Sequence, residues 1–125
     1  MAQQRDIGFG VVGLGMGAYH ADAISGAKGA KLIALCDIDE DRLNKTNENY
    51  KVKTYKNYDD MVNDKEIEVI NVCSPSYMHV DMAIQAVRAG KHVIVEKPVD
   101  ISVAKINMLI EEGKKVGVKM SGIFQ

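Results

Sequence analysis

An apolar run from Ile7 to Val12 stops at three closely spaced glycines, Gly13-Leu14-Gly15-Met16-Gly17, and a helical pattern opens directly behind them. A strand that turns through glycine into a helix needs a backbone free of Cβ atoms at the turn and where helix and strand touch. Twenty residues past Gly17, a second apolar run over 31–36 ends at Asp37. This order of elements suits a dinucleotide. The first glycine permits the turn, and the second lets a pyrophosphate approach. The third allows close helix–strand packing, the helix N-terminus offers its N–H groups, and the acid accepts hydrogen bonds from ribose hydroxyls. Gly13, Gly15, Met16 and Gly17 are therefore the candidate pyrophosphate contacts, and Asp37, Ile38 and Arg42 the candidates for the adenosine half. A carboxylate at Asp37, with Asp39 nearby, repels a 2′-phosphate and favours NAD over NADP. Arg42, one helical turn on, is placed to stack on adenine or pair a phosphate, or to remain a surface arginine.

The glycines alone are not specific. Gly8-Phe9-Gly10-Val11-Val12-Gly13 also fits G-x-G-x-x-G but lies inside the first strand. Strict spacing from Gly13 puts Ala18 at the third position, whereas the pattern ending on Gly17 also opens S-adenosylmethionine methyltransferases. The third-glycine role is thus open between Gly17 and Ala18. A methyltransferase is the weakest reading, because it gives no use to the motifs of the second half.

Short β-rich runs alternate with longer helical patterns. Strands are predicted over 7–12, 31–36, 53–55, 68–73, 92–96 and 119–124, and helices over 17–25, 39–50, 58–63, 78–89 and 102–116. The near-continuous apolar runs at Val69, Ile70 and Val72 and at Val93-Ile94-Val95 mark strands covered on both faces. Strict β–α alternation with right-handed crossovers predicts a doubly wound parallel sheet in three α/β/α layers, the Rossmann architecture, as one domain over 1–125. Ligands of such sheets lie at the carboxyl ends of the strands. The stripes Met78, Met82, Ala86, Ala89 and Ile106, Leu109, Ile110 are expected to face the core, and Gly90 and Gly117 to cap helix C-termini.

With 16 basic and 17 acidic residues the chain has no basic patch, so nucleic acid is not an expected partner. No apolar run is long enough for a membrane span, and the polar start lacks a signal-peptide core. Cys36 and Cys73 form no C-x-x-C pair and read as reduced small hydrophobes, pointing to the cytoplasm. The three histidines and the acids show no ligand cluster at usable spacing, so no metal is expected.

The second half carries Ser74-Pro75-Ser76-Tyr77-Met78-His79 after the fourth strand, and Ala89-Gly90-Lys91-His92 leading through the fifth into Glu96-Lys97-Pro98. With the glycine fingerprint followed by His20 and the acid at Asp37, these blocks in this order resemble the Gfo/Idh/MocA family of nicotinamide-dependent oxidoreductases, over essentially the whole chain from Ile7 to Gln125. One departure is the spacing from Gly15 to His20, a residue shorter than is common in the family.

The resemblance implies an NAD-binding domain of an enzyme that moves hydride to or from a hydroxyl-bearing carbon of a sugar, inositol or related polyol. It places Ser74, Pro75, His79 and Glu96 beside the dinucleotide and puts a cis peptide before Pro98. It also implies that Lys97 reaches the nicotinamide ribose and the reacting hydroxyl. Independently, a lysine at the carboxyl end of an apolar strand is costly unless it serves a ligand. A salt bridge with Glu96 is a poor alternative, since adjacent strand residues point to opposite faces. His20 and His92 read as structural. Family members continue into a second α+β domain that shapes the substrate pocket and usually mediates homo-oligomerisation. This chain reads as the cofactor domain alone, inactive by itself. A dinucleotide-sensing module without turnover is the alternative.

Overall fold

The computed structural model describes residues 5–74, 78–96 and 103–122. Six strands, β1 (Ile7–Val12), β2 (Ala30–Cys36), β3 (Lys53–Tyr55), β4 (Val69–Val72), β5 (His92–Val95) and β6 (Met120–Gly122), alternate with five helices, α1 (Gly17–Gly26), α2 (Glu40–Asn47), α3 (Tyr58–Val62), α4 (His79–Arg88) and α5 (Val103–Val116). All strand pairs are parallel, in the order β3-β2-β1-β4-β5-β6. The strand order reverses between β1 and β4, and the crevice above that point is where a doubly wound sheet takes its ligand.

Side chains alternate across the sheet, and each face has its own core. Val11, Leu32, Leu35 and Cys73 pack with Ala21 and Ile24 of α1 and Leu43 of α2. Val12, Ile33, Ile70, Val72, Val93 and Val95 pack with Met61 and Val62 of α3, Val80, Ala83 and Val87 of α4 and Leu109 of α5. The three-layer α/β/α Rossmann fold is thus as the sequence pattern predicts. Among the described residues no helix is long and apolar enough to cross a membrane.

Three expectations need correction. The buried face of α4 is Val80, Ala83, Ile84 and Val87, not the Met78–Met82–Ala86–Ala89 stripe. Of that stripe Ala86 is buried, Met78 is 36% exposed, and Ala89 is exposed beyond the helix end. The branched aliphatics meet the sheet, and Met82 sits at the flank, where its carbonyl accepts the Tyr58 hydroxyl. In α5, Leu109 is buried but Ile110 is 40% exposed. Helix α2 stops at Asn47 rather than residue 50, because the Asn47 side chain pairs with both the N–H and the carbonyl of Val52 at 2.9 Å each and draws the chain out of the helix. Gly90 and Gly117 cap their helices at φ +82° and +83°, as expected.

Candidate dinucleotide site

The glycine turn is built by close approach. Gly13 has φ +88°, and a Cβ there would lie 2.5 Å from the Ser74 backbone nitrogen, so the turn after β1 rests directly on the end of β4. At Gly17 a Cβ would lie 2.8 Å from Val11 Cγ1. The third-glycine role therefore falls on Gly17, whose bare α-carbon lets α1 press onto β1. Around Gly15, by contrast, a Cβ would meet no atom of the described residues within 4 Å. Protein packing does not demand glycine there, and the open space above it suits a close-lying phosphate.

The electrostatics agree. Helix α2 is capped by the Asp39 side chain and carries Glu40 and Asp41 in its first turn, and α3 is capped by Asn57 and followed by Asp59 and Asp60. Helix α1, directly behind the glycine turn, has no side-chain cap and no acid in its first turn. Its N-terminal partial positive charge is left for an external anion. Met16 is 49% exposed on this rim.

Asp37 stands at the end of β2 with only 3% of its surface exposed. Its Oδ2 accepts from the Leu14 N–H at 2.9 Å and from Arg42 Nε at 2.8 Å, and its Oδ1 accepts from the Asp39 N–H at 2.9 Å and Arg42 Nη2 at 3.1 Å. Burial raises the carboxyl's pKa, but the bonds from Arg42 and from the two backbone N–H groups outweigh that and hold it below the usual range. All four lone-pair positions are used, so a ribose hydroxyl gains a place only when Arg42 withdraws. Arg42 has room to do so, since its side chain is 47% exposed. Ile38 next door is 89% exposed and offers an apolar surface at the same rim.

On the other side of the switch point, Ser74 is buried at the end of β4, with its hydroxyl on Met82 Sδ at 3.0 Å. His79 opens α4 but does not present an open imidazole to the crevice. It is 2% exposed, and its Nε2 bonds to the Ser74 carbonyl, which ties the two ends of the loop together. Glu96 follows β5, with its N–H on the Val72 carbonyl at 2.9 Å and its carboxylate on His20 Nε2 at 2.5 Å. The expected contacts Pro75 and Lys97, and the peptide before Pro98, lie outside the described residues.

Two features escaped the sequence. The fold brings His20, Cys73 and Glu96 together, with their ligand-type atoms within 4.8 Å of one another, although they are far apart in sequence. The Cys73 thiol is pushed up to about 12 by burial and by the Glu96 charge, so it sits there as a thiol. The second is Lys91, whose Nζ bonds to the carbonyls of Asp64 and Ile67 at 2.8 and 2.7 Å. The lysine of the Ala-Gly-Lys-His block is a brace beneath the sheet, at the end opposite the crevice.

Known proteins share this fold. The family model for the oxidoreductase family with an NAD-binding Rossmann fold, Gfo/Idh/MocA, matches residues 7–124. The chain is 37% identical over 111 residues to myo-inositol 2-dehydrogenase of Thermotoga maritima, covering 87% of this chain and 33% of that enzyme. It superposes on apo scyllo-inositol dehydrogenase of Lactobacillus casei with TM-score 0.90 at 30% identity, over 97% of this chain and 37% of the other. It also superposes on GenD2 from gentamicin A biosynthesis, solved in complex with NAD, with TM-score 0.91 at 25% identity, over 97% and 35%. The chain thus spans about a third of the length of these relatives. It belongs to the Gfo/Idh/MocA family of oxidoreductases, of which it is an NAD-binding Rossmann domain.

Proposed function

We propose that this domain seats NAD for a dehydrogenase that oxidises a hydroxyl-bearing carbon of inositol or a related polyol, or reduces the matching ketone. The observation that carries the reading is the pairing, across one turn, of an uncapped α1 N-terminus above an open Gly15 with a buried carboxylate at Asp37. One suits a pyrophosphate, the other a ribose diol. NAD, when bound, supplies the hydride acceptor.

The chain's own groups do the rest in this reading. N–H groups of the turn at Gly15 and Met16 hold the pyrophosphate, whereas the expected donors Gly13 and Gly17 are engaged inside the fold, on the Cys36 and Gly13 carbonyls at 2.9 and 3.0 Å, and serve the turn by their bare α-carbons. Asp37 receives the adenosine ribose as Arg42 withdraws, beside the apolar surface of Ile38. Ser74, Pro75, His79 and Glu96 shape the nicotinamide half. Lys97 is the catalytic group: its Nζ accepts the proton of the substrate hydroxyl, and the ammonium so formed stabilises the oxygen while hydride leaves the carbon. Inositol-type substrates are inferred from the relatives, and homo-oligomerisation of the whole protein from the family resemblance. Two buried free thiols suit a reducing, cytoplasmic setting.

Thermal unfolding with NAD, NADP and S-adenosylmethionine tests the cofactor reading. A ligand at ~100 times its dissociation constant adds about 2.7 kcal/mol to the folded state. Stabilisation by NAD, weaker with NADP and absent with the methyl donor, is expected, and no response to either dinucleotide would overturn the reading. Formation of NADH with myo- or scyllo-inositol by the whole protein, abolished in Lys97→Ala, tests the reaction.

A further inference from the structure

Asn71 is the polar residue in β4, between Ile70 and Val72, and it is 4% exposed. Its Nδ2 donates to His20 Nδ1 at 2.9 Å, and His20 Nε2 meets Glu96 Oε2 at 2.5 Å. A Nδ1 that accepts leaves the ring proton on Nε2, so the imidazole donates to the carboxylate. The chain Asn71–His20–Glu96 joins three elements: the middle strand β4, the first turn of α1 just behind the glycine turn, and the end of β5. The side chains of His20 and Glu96 are 12% and 11% exposed.

This chain is not explained by stability alone. Asn71 Oδ1 is buried with no hydrogen-bond partner among the described residues, a cost that valine at the same position would avoid. An amide kept with half its hydrogen-bonding capacity unused is kept for the other half, the donor to His20. We propose that His20 is a positioning residue: held in one tautomer by Asn71, it locks the Glu96 carboxylate and the exit of β5 against α1. The pyrophosphate seat and the nicotinamide seat are thereby set in one register. The proposal rests on the reading above, in which the adenosine half lies over β2 and the nicotinamide half over the ends of β4 and β5.

Equilibrium binding of NAD and of ADP-ribose, which has both phosphates and both riboses but no nicotinamide, tests it. Asn71→Val and His20→Ala are expected to weaken NAD by about tenfold relative to ADP-ribose, the scale of one hydrogen bond to a charged group. Asn71→Val is expected to keep or raise the melting temperature. His20→Gln, whose amide retains a donor towards Glu96, is expected to restore most of the NAD preference. A merely structural role predicts the opposite pattern: both ligands weaken together, and stability falls in Asn71→Val. That pattern, or an unchanged NAD to ADP-ribose ratio in folded Asn71→Val, overturns the proposal. Failure of the unaltered domain to bind either ligand is distinct: it overturns the cofactor reading, and the positioning role with it.

Discussion

In the proposed function Arg42 competes with the cofactor for Asp37, and its removal should tighten NAD binding. Without ligand, the guanidinium fills one acceptor position on each Asp37 oxygen, and the Leu14 and Asp39 N–H groups fill the others. Binding a ribose diol therefore requires the pair to break. An exposed ion pair contributes up to about 1 kcal/mol, and the two-pronged geometry on a buried carboxylate puts this one at the upper end even though the arginine is half exposed. Relieving the complex of that loss in Arg42→Leu should improve NAD affinity about fivefold, since 1.4 kcal/mol is tenfold. NADP should gain nothing, because its 2′-phosphate would then face an uncompensated Asp37, and the NAD to NADP preference should widen by at least the same factor. The free domain should lose about 1 kcal/mol, near 4 °C in melting temperature for this chain length. Isothermal titration with both dinucleotides, alongside a melting curve, reads all three effects. If NAD binding weakens in a folded Arg42→Leu domain, the arginine contributes more to the complex than it withholds from Asp37, and the reasoning is wrong.

The glycine turn should rank its substitutions. Gly13→Ala, which forces a side chain into φ +88° and onto backbone, should cost more than Gly17→Ala, which has an ordinary φ and presses on the Val11, Cys73 and Leu14 side chains rather than on backbone and should cost about 1–3 kcal/mol; urea midpoints compare them. Lys91→Met, which leaves the carbonyls of Asp64 and Ile67 without their donor, should cost about 2 kcal/mol. Burial lowers the Lys91 pKa below its unfolded value of 10.5, so in the unaltered domain stability should rise with pH between those two values, and denaturant titrations of Lys91→Met should show that slope removed. Glu68, drawn down to about 2 chiefly by its hydrogen bond from Arg5, contributes stability that is complete above pH 4.5 and lost as pH falls towards 2. Arg5→Ala should flatten that acid limb in pH-dependent melting.

Much of this was legible because it is local. An apolar run that stops at glycines and gives way to a helical pattern identifies β1, the turn and α1 from adjacent residues, and Asp37 follows at a fixed distance. The parallel sheet showed in apolar runs whose two faces both need cover. Helix faces were read less well. In α4, methionine and alanine fit the helical period as well as Val80, Ala83, Ile84 and Val87 do, and only the sheet's position decides which stripe it covers. The end of α2 turned on the side chain of Asn47, a competition that composition does not reveal.

The site's side-chain partners were the hardest to read, for a geometric reason. Asp37 and Arg42 are five residues apart on one turn, so their proximity was foreseeable, but whether the arginine serves the ligand or the carboxylate depends on the acceptor positions left open. His20 and Glu96 are 76 residues apart, and nothing in the spacing of either predicts the other. They meet because β1, β4 and β5 lie side by side in register, with Asn71 opposite Val11 on one side and Ile94 on the other. Every strand of a parallel sheet delivers its C-terminal residue to the same edge, so residues distant in sequence become neighbours there without any local sign. The histidine behind the glycines, which reads alone as a structural residue with no partner named, acquires its carboxylate and its amide only when that edge is assembled.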